Sequence, residues 1–195
     1  MKIDQLDTPD LILDKTRLIR NIDAMTIRAK ELGVDLRPHL KTAKSADVAR
    51  LAVKGNAGGI TVATLSEAEY FFKNGFVDIT YAACIIPTRL DRAAALIAKG
   101  AELKLITDNI DVAKAITNYK PPKNVHFKIM AEIDCGEHRT GISHDSPELI
   151  EIANILTTSP TTELEGVLTH AGHSYACRTK EDIANVAEDE RFAVV

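Results

Sequence analysis

Strand-like and helix-like segments alternate along almost the whole chain, and this pattern restricts the fold more than any other feature. The first helical pattern is clear. Leu18, Ile19, Ile22, Met25 and Ala29 form one apolar stripe within residues 15–32, and Gly33 stands where a helix C-cap belongs. Strands are expected over residues 35–41, 59–63, 78–82, 103–107, 125–134 and 164–170. Helices are expected over residues 45–53, 65–74, 88–99, 109–118 and 147–157, and again from Lys180 onward. Gly55, Gly75 and Gly100 each close a helical segment. Thr64 or Ser66 supplies an N-cap, with Glu67 and Glu69 in the first turn. A short apolar run at residues 11–13 reads as an opening strand.

Strand–helix alternation repeated six times means a parallel sheet with right-handed crossovers. An open dinucleotide-binding sheet normally carries Gly-x-Gly-x-x-Gly at a strand–helix junction, and no such run occurs. The α/β class expected is therefore a TIM-type (β/α)8 barrel. A complete barrel of this kind takes about 250 residues. With 195 residues, the expectation is a partial barrel domain, cut before closure.

Composition narrows the partners. The chain has 24 Lys and Arg against 28 Asp and Glu, with no basic tract, which argues against nucleic acid. No 18-residue apolar run and no apolar leader segment occurs, so a cytoplasmic protein without a membrane span is expected. Cys84, Cys135 and Cys177 are far apart and form no CxxC pair; they read as reduced thiols.

The chemistry centres on Arg37-Pro38-His39-Leu40-Lys41-Thr42. In a strand, Arg37, His39 and Lys41 share one face, with Leu36, Pro38 and Leu40 on the other. Two readings stand: a basic, solvated edge strand, or a strand that ends in a Schiff-base lysine whose basicity is lowered by desolvation and nearby cations. Barrel active sites lie at the C-terminal ends of the strands. Residues 41–44, 63–67, 132–141 and 169–175 would sit there, and polar residues and glycines gather in these stretches downstream of apolar runs. His138, His144, His170 and His173 are scattered between different elements, so no metal-ligand set is read from spacing.

Five motifs occur in order: Thr8-Pro9 with Leu13-Asp14 and Asn21-Ile22; residues 37–42; Thr61-Val62-Ala63-Thr64 before Glu67-Ala68-Glu69; Asp134-x-Gly136 with Arg139-Thr140-Gly141; and Gly172-His173-Ser174-Tyr175. Together they resemble the pyridoxal-phosphate enzymes of the alanine-racemase-like fold (type III), most closely the D-threonine aldolase and D-serine dehydratase branch. The resemblance implies a lyase acting on a β-hydroxy D-amino acid, with an amino-acid racemase or a non-enzymatic pyridoxal-phosphate-binding barrel as alternatives. It implies that Lys41 forms the Schiff base and handles the Cα proton, and that His39 lines the barrel, equally as a core histidine. Arg139 would meet the ring's phenolic oxygen, or pair with Asp134 or Glu137. His170 would lie against the pyridine, and Tyr175 would reach the phosphate with His173 and Ser174 nearby. Lys44 would be a solvated neighbour in the next helix, and Thr64 either a site residue or an N-cap. Ala43 departs from the family's usual histidine, and Cys135 reads as a buried thiol. The resemblance further implies a second, β-rich domain outside these residues, to which residues 1–14 contribute a strand. That domain would hold a divalent metal, and the whole protein would be a homodimer.

Overall fold

The computed structural model describes residues 3–7 and 9–195. Thr8 of the Thr8-Pro9 motif lies outside the described residues, as do residues 1 and 2 of the N-terminal arm. The helices are α1 (Lys15–Leu32), α2 (Ala46–Ala52), α3 (Leu65–Lys73), α4 (Leu90–Ala98), α5 (Ile110–Asn118), α6 (Pro147–Thr158) and α7 (Lys180–Val194). The strands are β1 (Ile60–Val62), β2 (Asp78–Cys84), β3 (Glu102–Thr107), β4 (Phe127–Asp134), β5 (Ile142–Ser143) and β6 (Thr162–Thr169).

Every strand pairing is parallel, and the order β1-β2-β3-β4 follows the chain, with β6 next along β4. The order never reverses. Right-handed crossovers in a sequential sheet put all helices on one face, which is the barrel arrangement and not the doubly wound one. Neighbouring helices accordingly touch in pairs: α1 with α2, α3 with α4, α5 with α6. Ile133 pairs with Thr169 of β6 on one edge and with Ile142 of β5 on the other, so β5 continues the edge occupied by β3.

Period-two alternation decides what each strand buries. Ile60, Ile79, Leu103, Leu105, Phe127 and Ile129 face the helices and are fully buried with Phe71, Ile116, Ile152 and Leu156. Each such side chain contributes roughly 1.5–3 kcal/mol relative to exposure. The opposite face carries Arg37, Asp78, Lys104 and Lys128 at one end and the candidate site at the other.

The helix ends follow local rules. Gly33 adopts φ 68°, and Gly33 and Val34 close α1 by donating to Lys30 and Ala29 carbonyls. The side chains of Ser45, Thr64 and Asn109 each accept a backbone N–H in the first turn of their helices. Thr179 and Asp182 form a reciprocal capping box on α7.

Two strand expectations need correction. Residues 11–13 form no strand, and Leu11, Ile12 and Leu13 lie exposed without a pairing neighbour among the described residues. The stretch 35–41 makes one bridge only, His39 to Thr61, flanked by Leu40 N–H to Thr61 O and Thr61 N–H to Pro38 O, both 2.9 Å. The ladder stops on one side because Pro38 has no N–H to donate. It stops on the other because the Ala63 N–H goes to Glu67 Oε2 at 2.8 Å, leaving the Leu40 carbonyl to accept from Lys44. Smaller differences occur elsewhere. A 3-10 turn, Pro87–Arg89, precedes α4, and the two-residue β5 and the 3-10 turn Gly172–Ala176 were not expected.

Candidate active site

The His39–Thr61 bridge, the C-terminal end of β4 and the end of β6 enclose one cavity. Lys41, His39, Arg139 and His170 line it, together with Glu132 and Thr169. Four of the five expected site residues are therefore brought together from three distant parts of the chain.

Lys41 begins the turn that follows the bridge, and its backbone N–H approaches His39 Nδ1 at 3.4 Å. Desolvation of the ring, then the positive charge of Lys41, hold His39 below the usual histidine range, with Glu67 pulling the other way. A neutral ring whose Nδ1 accepts carries its proton on Nε2.

Lys44 is not in the next helix as expected. It occupies the turn before α2 with φ 46°, because Ser45 caps that helix, and its Nζ lies 3.0 Å from Glu67 Oε1. Burial would push the Glu67 carboxyl up, but the Ala63 N–H and Lys44 outweigh it and hold it low. Thr64 spends its hydroxyl as the α3 N-cap, accepting from Glu67 N at 3.1 Å.

Arg139 emerges from the loop after β4. Asp134 organises that loop by accepting from the backbone N–H groups of Gly136 and His138, at 2.9 and 3.0 Å, and pairing with His138 Nδ1 at 2.8 Å. Arg139 Nη1 lies 3.5 Å from Glu137 Oε1 and also borders the cavity. The loops after β4 and β6 interlock: a side chain at Gly172 would strike the Glu137 carboxylate. Cys135 beside them is buried.

Tyr175 stands apart. It is 73 % exposed and outside the cavity wall, with its ring edge-on to His170 at 6.0 Å. Arg37 is also elsewhere, paired with Asp78 toward the N-terminal ends of the strands.

Sequence reasoning put Glu132 and Thr169 in stretches at the strand ends without giving them a role, and gave no site role to Cys84 or Asp108. Alternation along β4 places Glu132 on the inward face with Lys128 and Met130, which was the available signal. Its partners come from other strands and could not be read. Cys84, Asp108 and Glu132 bring potential ligand atoms within 4.8 Å of one another. Burial and the two carboxylates push the Cys84 thiol up, so it keeps its proton and donates to Glu132 Oε2 at 3.0 Å. A metal bound there would have to displace that proton.

The cavity suits pyridoxal phosphate. Thr169 Oγ1 is a buried wall atom with no hydrogen-bond partner. Lys41 and Arg139 line the same space, so an amine that could meet an aldehyde and a guanidinium that could meet an anionic ring oxygen are both at hand, beside the carboxylate of Glu132.

The family model "Alanine racemase, N-terminal domain" matches residues 13–193. The D-threo-3-hydroxyaspartate dehydratase of Delftia sp. (strain HT23) is 44 % identical over 191 residues, covering 97 % of this chain and 50 % of that protein. The solved structure of that dehydratase superposes with a TM-score of 0.92 at 43 % identity, again over 97 % of this chain and 50 % of the other. The D-serine dehydratase of Dictyostelium discoideum is 34 % identical over 200 residues, 96 % of this chain and 50 % of that protein. The chain thus spans about half the length of these curated relatives. With the sequential parallel sheet, the cavity at its strand ends and the match over residues 13–193, the chain belongs to the alanine racemase N-terminal domain family.

Proposed function

We propose that this chain carries the pyridoxal-phosphate-binding part of a lyase that acts on a β-hydroxy D-amino acid, as a dehydratase or an aldolase. The observation that carries the reading is the convergence of Lys41, His39, Arg139 and His170 on one cavity at the strand ends. The names of the similar proteins, D-threo-3-hydroxyaspartate dehydratase, D-serine dehydratase and D-threonine aldolase, give the substrate class. When bound, the cofactor supplies an electron sink for the charge left at the substrate Cα.

In this reading Lys41 holds the cofactor through its amine and then moves the Cα proton. Arg139 keeps a permanent cation at the phenolic oxygen without competing for protons. His39, held neutral, accepts or donates hydrogen bonds in the cavity without adding charge beside Lys41. His170 forms a wall, and Thr169 offers its unpartnered hydroxyl to the bound group. Tyr175, exposed and edge-on to the His170 ring, would hold the phosphate through its hydroxyl.

The whole protein is a cytoplasmic homodimer in this reading, and the unpaired thiols of Cys84, Cys135 and Cys177 suit a reducing compartment. No helix among the described residues is long and apolar enough to cross a membrane. The exposed Leu11, Ile12 and Leu13 support an N-terminal arm that pairs with a second domain. That domain holds a divalent metal; a similar dehydratase has been solved in a metal-free form.

The test is an absorption spectrum of the full-length protein with pyridoxal phosphate, before and after borohydride, beside Lys41→Ala. A visible band that borohydride fixes covalently, and that Lys41→Ala abolishes, is expected. D-serine, D-threonine and D-threo-3-hydroxyaspartate, each with and without divalent metal, should yield keto acid or aldehyde products. Racemisation alone would replace the lyase reading, and absence of the band would end the cofactor reading.

A further inference from the structure

We infer that Glu132 is a positioning residue, which holds the Arg139 turn against the cavity through the hydroxyl of Thr140. This inference rests on the pyridoxal-phosphate reading of the same cavity. Glu132 is 5 % exposed on the inward face of β4, and both its oxygens accept from uncharged donors. Cys84 Sγ donates to Oε2 and Thr140 Oγ1 donates to Oε1, each at 3.0 Å. Placing a carboxylate so deep is costly unless its bonds are well made, so the position calls for a reason beyond packing.

The reason lies in what Thr140 is attached to. Three anchors fix the backbone just after Arg139. Thr140 is tied to Glu132. The Gly141 N–H donates to Asp108 Oδ2 at 3.0 Å. Gly141 also adopts φ 94° and presses so closely on β4 that a Cβ there would lie 2.5 Å from Asp134 N. By contrast, the Arg139 side chain is 55 % exposed, and its ion pair with Glu137 is long at 3.5 Å. An exposed pair of this kind contributes little to stability. It is too weak to aim the guanidinium by itself. The pinned backbone sets where Arg139 starts, and Glu132 is the buried end of that pin. Cys84 completes the chain by occupying the other Glu132 oxygen and fixing the carboxylate plane.

Thr140→Val removes the hydroxyl while keeping the side-chain shape, and Thr140→Ser restores it. Full-length protein is titrated with pyridoxal phosphate, following the visible band, for wild type, Thr140→Val, Thr140→Ser, Glu132→Gln, Arg139→Ala and the Arg139→Ala/Thr140→Val double variant. Unfolding midpoints are recorded alongside. Thr140→Val should weaken cofactor binding about 3- to 10-fold, the range for one lost hydrogen bond, and shift the band maximum. Thr140→Ser should recover most of the affinity. In the Arg139→Ala background the valine should have no further effect, because the residue it positions is gone. Glu132→Gln keeps one acceptor oxygen and should fall between wild type and Thr140→Val in affinity, even if its midpoint falls. Wild-type affinity in Thr140→Val, or full additivity in the double variant, would overturn the inference. A wild-type protein without the band would instead remove the cofactor reading itself.

Discussion

Arg37 grips Asp78 with both guanidinium nitrogens, Nη1 to Oδ1 at 2.9 Å and Nη2 to Oδ2 at 2.7 Å, two residues behind His39 on the same face of the chain. Lys104 adds a third contact to Asp78 at 3.0 Å, and Lys128 meets Glu165 at 2.8 Å further round the sheet. Opposite charges thus line the inward face from the Arg37 segment through β2, β3 and β4 to β6. The three basic groups that share one face of the first segment therefore divide by depth. Arg37 belongs to this ion network, and His39 and Lys41 belong to the cavity.

Asp78 makes the network pH-dependent. Burial alone would push its carboxyl up, but hydrogen bonds and charge from Arg37 and Lys104 hold it below the usual range. A depressed carboxyl contributes stability above the ordinary aspartate value of about 3.9, and that stability is lost as pH falls through the lowered folded value. Asp78→Asn should cost about 1.5–3 kcal/mol at pH 7. The gap to wild type should narrow below about pH 4, as read from urea midpoints against pH. A gap that does not change with pH would show that charge is not the cause.

His39 is predicted to titrate low. Its ring is kept neutral by desolvation and by Lys41, so its proton should be taken up below the ordinary value of about 6.5. Because the folded value is depressed, its stability contribution is intact above that ordinary value and is lost as pH falls toward the folded one. NMR titration of the His39 ring should give the low midpoint. Lys41→Ala should move the midpoint up, and Glu67→Gln should move it further down.

Gly141→Ala tests the close approach behind Arg139. The backbone of residues 133 and 134 cannot give way as a flexible side chain could, and the positive φ adds strain. A loss of at least about 1–3 kcal/mol is expected from thermal melts. A neutral result would mean that the turn relaxes freely.

Phe71 is a core position with a large expected effect. It is fully buried, with edge-on contacts to Tyr70 and Phe76 at 5.0 and 5.7 Å. Phe71→Ala should destabilise by about 3–5 kcal/mol in chemical unfolding. A value under about 1 kcal/mol would mean that the helix layer refills the space.

Much of the architecture was legible along the chain because its signals are local. Apolar periodicity, glycines such as Gly33 and caps such as Thr64 are set by residues a turn apart, and they mark α1, α3 and the strand–helix rhythm. The same periodicity separates the inward Lys128 and Glu132 from the buried Phe127 and Ile129. Tertiary structure decided what depends on neighbours far along the chain. Strand pairing needs both a partner edge and available N–H groups, so the 35–41 segment shrinks to one bridge where Pro38 and Glu67 interrupt the ladder. The roles within one basic face were set by whether a carboxylate, Asp78, or an open cavity lay opposite. The supports beneath Arg139 come from three separate strands or their ends: Cys84, Asp108 and Glu132. Hydrogen bonds reach only about 3 Å. Which groups come that close across 33 to 48 residues of chain is settled by strand register and packing, and no local pattern encodes it.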